Sequence, residues 1–403
     1  MVHALSIRYS LFTTHQSRMR LLSDPVARLT LTMSCLFCGA GAALPFLPRW
    51  LEAERGLTGV EIGAVVSAAQ LARIFMGPMI AAWADGLPDR RLPIRLLIIA
   101  SLAAYAVFFQ AHGFWPLFAL SFVAATFNQA ATPLVEGATL RASRTSPIPF
   151  GAARATGSIA FILGNVLGGV LLSGYGPGVV AIWLIASIGT AALSSFVLKP
   201  DPAPQTAAAL GYRGRLRAGL ALLRTPVFAR IVFGAGIIQC AHAFYYSFSV
   251  LVWRAQGLSD AMTGVLWGFA VGVEVVFLFM LPQIEKRISV ENLLLLGAAG
   301  AVLRWILLAL LPPLWLLWPL QGLHALSFAA THVAALRLVM REAPDEVIGL
   351  AQTLYASLSG GLLIGAATIL SGFLYDRIGA GGYWAMAMIA LSGLFLVAPL
   401  RQR

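Results

Sequence analysis

Charge is what this sequence has least of. Asp, Glu, Lys and Arg make up 11% of its 403 residues, against 59% hydrophobic, and the mean hydropathy is +0.83. A soluble domain carries about 25% charged residues. The scarcity excludes a soluble protein, because so much apolar surface has no place to hide from water. Apolar runs recur along the whole length, so the chain is polytopic and lies in lipid rather than hanging from a tether. The net charge of +12 does not point to nucleic acid. The basic residues sit in short loops between apolar runs, as membrane orientation requires.

Cysteine is also scarce. The three present, Cys35, Cys38 and Cys240, all fall inside apolar runs. Cys35 and Cys38 have CxxC spacing, but a redox thiol needs an aqueous, electropositive setting, so they read as small apolar filler. The sequence has no Cys/His cluster at metal spacing, no GxxxxGK[ST] for an ATP-driven motor, and no HExxH or GxSxG for a hydrolase. No enzyme and no cofactor is expected. No cleavable signal peptide is visible or expected. Residues 1–25 mix Arg8, His15, Arg18 and Arg20 with short apolar stretches, and read as a cytoplasmic tail or as a start assigned upstream of the true one.

What is present is a succession of segments about 20 residues long, enough for a helix to cross a bilayer. Twelve are expected, over roughly 26–50, 59–83, 93–112, 114–140, 151–174, 177–198, 227–253, 261–283, 290–311, 313–340, 347–374 and 380–400. An even number puts both termini on one side. The outer loops then hold only four of the 28 basic residues, Arg49, Arg55, Arg254 and Arg377, and this bias makes the termini cytoplasmic. The one long connection, 199–226, starts as the Pro-rich KPDPAPQT and turns basic from Tyr212 to Arg217. It separates a half at 26–198 from a half at 227–403.

The halves read as repeats. Gly56-Leu57-Thr58 with Gly63 returns as Gly257-Leu258-Ser259 with Gly264 at an offset of 201, which also carries Gly164 onto Gly365. Gly164/Gly168 and Gly361/Gly365 both give GxxxG, a spacing that lets helices pack closely. The same offset sets Arg73 opposite Glu274 and Arg154 opposite Tyr355.

Five charges fall within spans: Arg73, Glu136, Arg154, Glu274 and Arg304. Glu274 is the single charge in Thr263–Pro282. A lone carboxylate at that depth costs about 2.5–3.5 kcal/mol on insertion scales, so it is expected to face a cavity and a partner. Glu136 and Arg154 lie nine residues either side of Thr145, so a hairpin sets them at one depth, either as a functional pair or as charges at span ends. His324 and His332 are eight apart, about 80° around a helix, and His242 stands beside Tyr245 and Tyr246. These rings read either as cavity lining or as packing. Asp85, Asp89, Arg90 and Arg91 after the second span read as a charge latch between halves or as a solvated loop. With no nucleotide motif, a proton gradient is the expected drive. Glu274 is the first choice of carrier, since burial favours a neutral carboxyl group, and His324 the second. Three buried arginines against two buried acids favour an anionic substrate.

At this point the chain resembles the major facilitator superfamily, in particular its lactose permease and phenylpropionate permease branch. Pro133-Leu134-Val135-Glu136 is similar to the P-x-V-E that ends that branch's fourth span, and Phe150-Gly151-Ala152-Ala153-Arg154 to its F-G-x-A-R. HAFYY from His242, WRAQGLSD from Trp253, the Leu323-His324, Ser327-Phe328 and His332 pattern, and Arg73 in Leu71-Ala72-Arg73 are similar to the phenylpropionate type. The resemblance implies an all-α membrane protein of twelve transmembrane helices in two six-helix repeats. It implies a secondary active transporter working by alternating access, with proton-coupled uptake of a small organic solute, aromatic or carboxylate. It implies that Glu136 and Arg154 pair or contact substrate, and it matches Glu274 to the branch's substrate-binding acid, Arg304 to its ninth-span arginine and His324 to its tenth-span histidine. With the burial argument, substrate binding is expected at Glu136, Arg154, Arg304, Arg73, His242 and Tyr245, and proton coupling at Glu274 and His324. Glu274 is expected to pair with Arg154, because the fifth and eighth spans pack together in the resembled fold. The branch's proton-carrying glutamate is Ser327 here, and a lysine is Gln321. The partners expected are a small-molecule substrate, a proton and the lipid bilayer, with no nucleic acid, for a monomer in the inner membrane. Oligosaccharide or nucleoside symport, drug efflux, and a non-transporting assembly or sensor protein are the alternatives.

Overall fold

The computed structural model describes residues 24–201, 212–344 and 347–402. The tail expected at 1–25 lies almost wholly outside them. Six helices come first: α1 Pro25–Arg55, α2 Gly59–Asp85, α3 Arg91–Phe108, α4 Phe114–Ala142, α5 Phe150–Tyr175 and α6 Val179–Ser195. A short helix, Tyr212–Leu223, lies in the connection. Six more follow. α7 has two pieces, Pro226–Cys240 and Ala243–Ala255; α8 is Asp260–Ile284 and α9 Val290–Ala309. α10 runs Leu314–Gly322, a π turn Ala325–Ala330, then Thr331–Glu342. α11 runs Ile348–Ser357, a π turn Leu358–Leu363, then Ile364–Ile378, and α12 is Gly382–Val397.

Among the described residues, nine continuous helical runs are long and apolar enough to cross a membrane, judged by length and composition. One of them, Ile348–Arg401, holds both α11 and α12, while the apolar stretches Gly59–Ala72 of α2 and Val179–Ser195 of α6 are shorter. Together these make twelve transmembrane helices in two sets of six.

The 201-residue repeat has a local physical meaning. Gly56 ends α1 at φ +64° and Gly257 ends α7 at φ +89°, left-handed values that favour glycine. The next residue closes the helix end in both cases: Leu57 N–H donates to the Leu51 carbonyl at 3.2 Å, and Leu258 N–H to that of Trp253 at 3.0 Å. The third residue caps the following helix. Thr58 accepts from Glu61 N–H at 3.3 Å while Glu61 accepts from Thr58 N–H at 2.9 Å, a capping box. Ser259 Oγ accepts from Met262 N–H at 3.2 Å.

The second pair of repeat glycines holds the halves together. A Cβ on Gly63 of α2 would lie 2.7 Å from the Thr368 carbonyl of α11, and one on Gly372 would lie 2.3 Å from the Gly59 carbonyl. A Cβ on Gly264 of α8 would lie 2.3 Å from the Asn165 carbonyl of α5, and one on Gly169 would lie 2.5 Å from that of Asp260. Both crossings lie toward the loops that follow α1, α5, α7 and α11, here called the odd-loop face. Each has a polar clasp. Asp376 at the end of α11 accepts from the N–H groups of Gly59 and Val60 at 2.7 and 2.8 Å. Ser173 near the end of α5 accepts from Ala261 N–H at 2.8 Å. The two GxxxG motifs differ in role: Gly164 and Gly168 seat α5 on Cys38 and Ala42 of α1 in the same half, whereas Gly361 and Gly365 seat α11 on Ile74, Gln70 and Leu71 of α2 in the other.

At the even-loop face the glycines stand in open space. Gly77 of α2, Gly151 of α5, Gly272 of α8 and Gly349 of α11 would each take a Cβ with nothing within 4 Å. The two glycine crossings thus close the halves on each other at the odd-loop face, while these four positions of the same helices leave room toward the other. The Asp89 loop ties the first half to the connection at Asp201. Asp89 pairs with Arg91 at 2.6 Å and accepts from Asp201 N–H at 3.3 Å, Arg90 N–H donates to the Asp201 carbonyl at 3.0 Å, and Arg141 pairs with the Asp201 carboxylate. The hydrogen bond from Arg91 is the main cause holding the Asp89 carboxyl below its ordinary range. The Asp85 side chain lies outside the described residues.

Candidate functional site

Arg304 of α9 is completely buried. In lipid every buried polar group must find its partners inside the protein, and the second half builds a network around this one side chain. Its Nη1 donates to His324 Nδ1 at 3.0 Å and to Ser327 Oγ at 3.3 Å, and its Nη2 donates to Gln321 Oε1 at 2.7 Å. Gln321 passes its own N–H groups to the Tyr245 hydroxyl at 2.7 Å and the Leu266 carbonyl at 3.2 Å. The rings of Tyr245 and Trp305 lie 4.5 and 4.8 Å from the guanidinium carbon, within cation–π range. Arg304 Nε has no hydrogen-bond partner among the described residues.

Helix irregularities place the other members. α7 pauses at Ala241 and His242. There the His242 ring meets the Gln239 carbonyl through Nδ1 at 3.0 Å and Ser327 Oγ through Nε2 at 3.2 Å. Gln239 Nε2 donates to the Phe328 carbonyl at 3.0 Å. Phe328 lies in the π turn of α10, so Gln239 serves backbone that an ordinary helix would use differently. The π turn also corrects the expected 80° between His324 and His332. A π turn takes more residues per revolution, so residues four apart stay in line. His324 stacks on Phe328 at 5.1 Å and 3°, and Phe328 on His332 at 6.0 Å and 5°. The column ends on Tyr355 of α11, 6.1 Å from His332.

Two acids face this architecture. Glu274 of α8, with 20% of its side chain exposed, places Oε2 3.5 Å from His324 Nε2. Arg154, His332 and Tyr246 are also near enough to act on it electrostatically. In the first half Glu136 Oε1 lies 3.3 Å from Arg154 Nε, with 32% and 42% of the two side chains exposed. Arg154 also donates to Ser158 Oγ at 3.2 Å and lies 4.6 Å over the Phe37 ring.

The expected site residues thus divide into a wall and a layer behind it. Glu136, Arg154 and Glu274 are partly exposed, with Tyr246, Phe328 and Phe37 half-buried and His332 exposed. Arg304, His242 and Tyr245, expected as substrate contacts, are fully buried behind the wall, and His324 joins them at its edge. The expected Glu274–Arg154 ion pair is not formed: each has another partner, His324 and Glu136 respectively. Arg73 lies on α2, and its side chain is outside the described residues. Sequence reasoning passed over Gln239, and treated Gln321 and Ser327 only as departures. The signal available for all three was a polar side chain in the middle of an apolar span.

Residues 27–386 match the MFS_1 like family. A probable 3-phenylpropionic acid transporter of Escherichia coli (strain K12) is 33% identical over 365 residues, covering 89% of this chain and 94% of the relative. The maltose permease of Geobacillus stearothermophilus is 26% identical over 375 residues, covering 91% and 92%. A crystal structure of the nucleoside transporter NupG superposes with a TM-score of 0.80 at 15% identity, over 94% of this chain and 98% of that one, a likeness of fold.

Proposed function

Because the chain belongs to the MFS_1 like family and is a secondary transporter, not an enzyme, we propose that it carries a small carboxylate together with a proton. The observation that supports this most is that Arg154 and Glu274, both partly exposed, stand on the neighbouring helices α5 and α8, one from each half, each held by its own partner, Glu136 and His324. Arg154 is the carboxylate receptor: a bound carboxylate takes the guanidinium in place of Glu136, as bidentate geometry favours. An aromatic ring on the solute then lies against Phe37, Tyr246 and Phe328. The name of the 33% identical relative, a probable 3-phenylpropionic acid transporter, supports that solute class.

Glu274 carries the proton. Protonation removes the negative charge that faces the anion, so proton and anion favour each other's binding by the same factor. Arg304, His242 and Tyr245 support Glu274 through His324, and Arg73 adds positive charge from α2. The halves 26–198 and 227–403 rock about this site while 199–226 connects them. The basic bias supports a reading with both termini in the cytoplasm, in which the even-loop face is the inward one. A monomer in the inner membrane completes the reading. Oligosaccharide symport is the second reading, favoured by the maltose permease similarity.

The test is uptake into proteoliposomes under an imposed pH gradient, with labelled 3-phenylpropionate and labelled maltose side by side. Accumulation of the carboxylate alone is expected. Accumulation of maltose without the carboxylate would overturn the anion reading.

A further inference from the structure

The hydrogen-bond network behind the site has a direction, set by its one member that can only donate. Arginine has five N–H donors, no acceptor, and stays protonated in proteins. The 3.0 Å contact from Arg304 Nη1 to His324 Nδ1 therefore requires Nδ1 to be the acceptor, without a proton. The ring proton of His324 must then sit on Nε2, the nitrogen 3.5 Å from Glu274. A second proton on Nδ1 would set N–H against N–H.

The same logic runs the other way at His242. Its Nδ1 faces the Gln239 carbonyl at 3.0 Å, which only accepts, so Nδ1 carries the proton. Its Nε2 then accepts from the Ser327 hydroxyl at 3.2 Å, while Ser327 Oγ accepts from Arg304. Gln321 accepts from Arg304 and donates onward to Tyr245 and Leu266. Every described hydrogen bond leads away from Arg304 and ends on a carbonyl or a phenol, and the remaining ring nitrogen of His324 stands 3.5 Å from Glu274.

We propose that Arg304 is a positioning residue that locks His324 as the neutral Nε2–H tautomer and His242 as the neutral Nδ1–H tautomer, leaving Glu274 as the one proton-accepting end of the network. His324 then hands Glu274 a hydrogen bond and does not carry the transported proton. The groups facing His324 agree. Arg304 stands on α9, His242 and Tyr245 on α7, Glu274 on α8 with Arg154 of α5 beyond it, and His332 on α10 across Phe328. An imidazolium at His324 would touch the Arg304 cation directly. Ser327 belongs to the same logic. A carboxylate there would give Arg304 a counter-charge and a second proton-accepting end, whereas a hydroxyl relays the direction unchanged.

The test is side-chain nitrogen NMR of the full-length purified protein with labelled histidine, its six histidines assigned by single replacements. His324 is expected as Nε2–H and His242 as Nδ1–H, both unchanged between about pH 5 and 9, the range where an ordinary histidine titrates. A proton on His324 Nδ1, or a charged imidazole at either position, overturns the proposal. Arg304→Lys, another pure donor, should keep both tautomers, and Arg304→Gln, which can donate or accept, should mix those of His324 while His242, held by the Gln239 carbonyl, keeps Nδ1–H. These spectra stand whichever solute is carried. The transport arm alone rests on the proton-coupled reading. His324→Gln, whose amide nitrogen reaches the Nε2 position, should keep gradient-driven accumulation within about threefold, while His324→Asn should lose at least about tenfold, the scale of a lost hydrogen bond to a charged group. Loss of accumulation with exchange intact in His324→Gln would mean that histidine carries the proton.

Discussion

Glu274 and Arg154 divide the work at the residue scale, and each makes a separable prediction. Glu274→Gln keeps the shape and a hydrogen-bond acceptor for His324 but removes the titrating group. Carboxylate exchange across the bilayer should persist, and pH-driven accumulation should fall to the equilibrium level. Counterflow and gradient-driven uptake measured on one preparation check this, and unchanged accumulation would move the proton to Glu136. Arg154→Ala should act in the opposite way. The Arg154–Glu136 pair is partly exposed on both sides, and pairs of that kind contribute about 0–1 kcal/mol, so the melting temperature should hardly move while carboxylate uptake falls at least about tenfold, as expected when a charged hydrogen bond to the solute is lost. The equal spacing of these two residues about Thr145 was visible in the sequence, because a hairpin converts spacing into depth. That Arg304, His242 and Tyr245 stand behind the wall was not. Composition reports that a charge is in a span, but which way it faces depends on the α7 break at His242 and the π turn at 325–330, and neither has a Pro or Gly within it.

At the scale of elements the closed face depends on two helix crossings and two clasps. Gly264 cannot accept a side chain without displacing α5 backbone, since its Cβ would lie 2.3 Å from the Asn165 carbonyl. Overpacking of this kind costs about 1–3 kcal/mol, and here the cost falls only on the state in which α5 and α8 meet. Gly264→Ala should therefore shift the population toward opening at the odd-loop face by about tenfold or more, since 1.4 kcal/mol is a factor of ten. Spin-label distances across the two faces would read this as a longer odd-loop and a shorter even-loop separation, and unchanged distances would mean that the crossing does not limit opening. Asp376→Asn should shift the balance the same way but less. It leaves a weaker cap on Gly59 and Val60 and loses the charge that favours a helix N-terminus, worth about 0.3–1 kcal/mol. The repeat offset located Gly63 and Gly264 from sequence. It could not say that they meet the opposite half, because GxxxG looks the same whether its partner is α1, as for Gly164, or α2, as for Gly365.

For the whole molecule, twelve apolar segments and a basic connection make the bundle legible, since length and hydropathy are set by the bilayer and not by tertiary detail. The room toward the even-loop face is not legible, because alternating access requires one sequence to fit two arrangements. Charge conservation, in contrast, applies to both arrangements and separates the two solute classes. The fixed charges of the site, Arg154 with Glu136 and Arg304 with Glu274, move with the protein whether or not it is loaded. What crosses in addition is the cargo. A monoanion with one proton adds no net charge, so carboxylate uptake should follow the pH gradient and ignore a potassium diffusion potential set with valinomycin. A neutral sugar with one proton adds a full positive charge, and 100 mV then supplies about 2.3 kcal/mol, equivalent to about 50-fold accumulation. Measuring carboxylate uptake under each gradient alone decides between them. A response to potential with the pH gradient collapsed would mean either that more than one proton accompanies the anion or that Glu274 is not neutralised by a single proton during loading, and the one-to-one pairing of proton with carboxylate would fail.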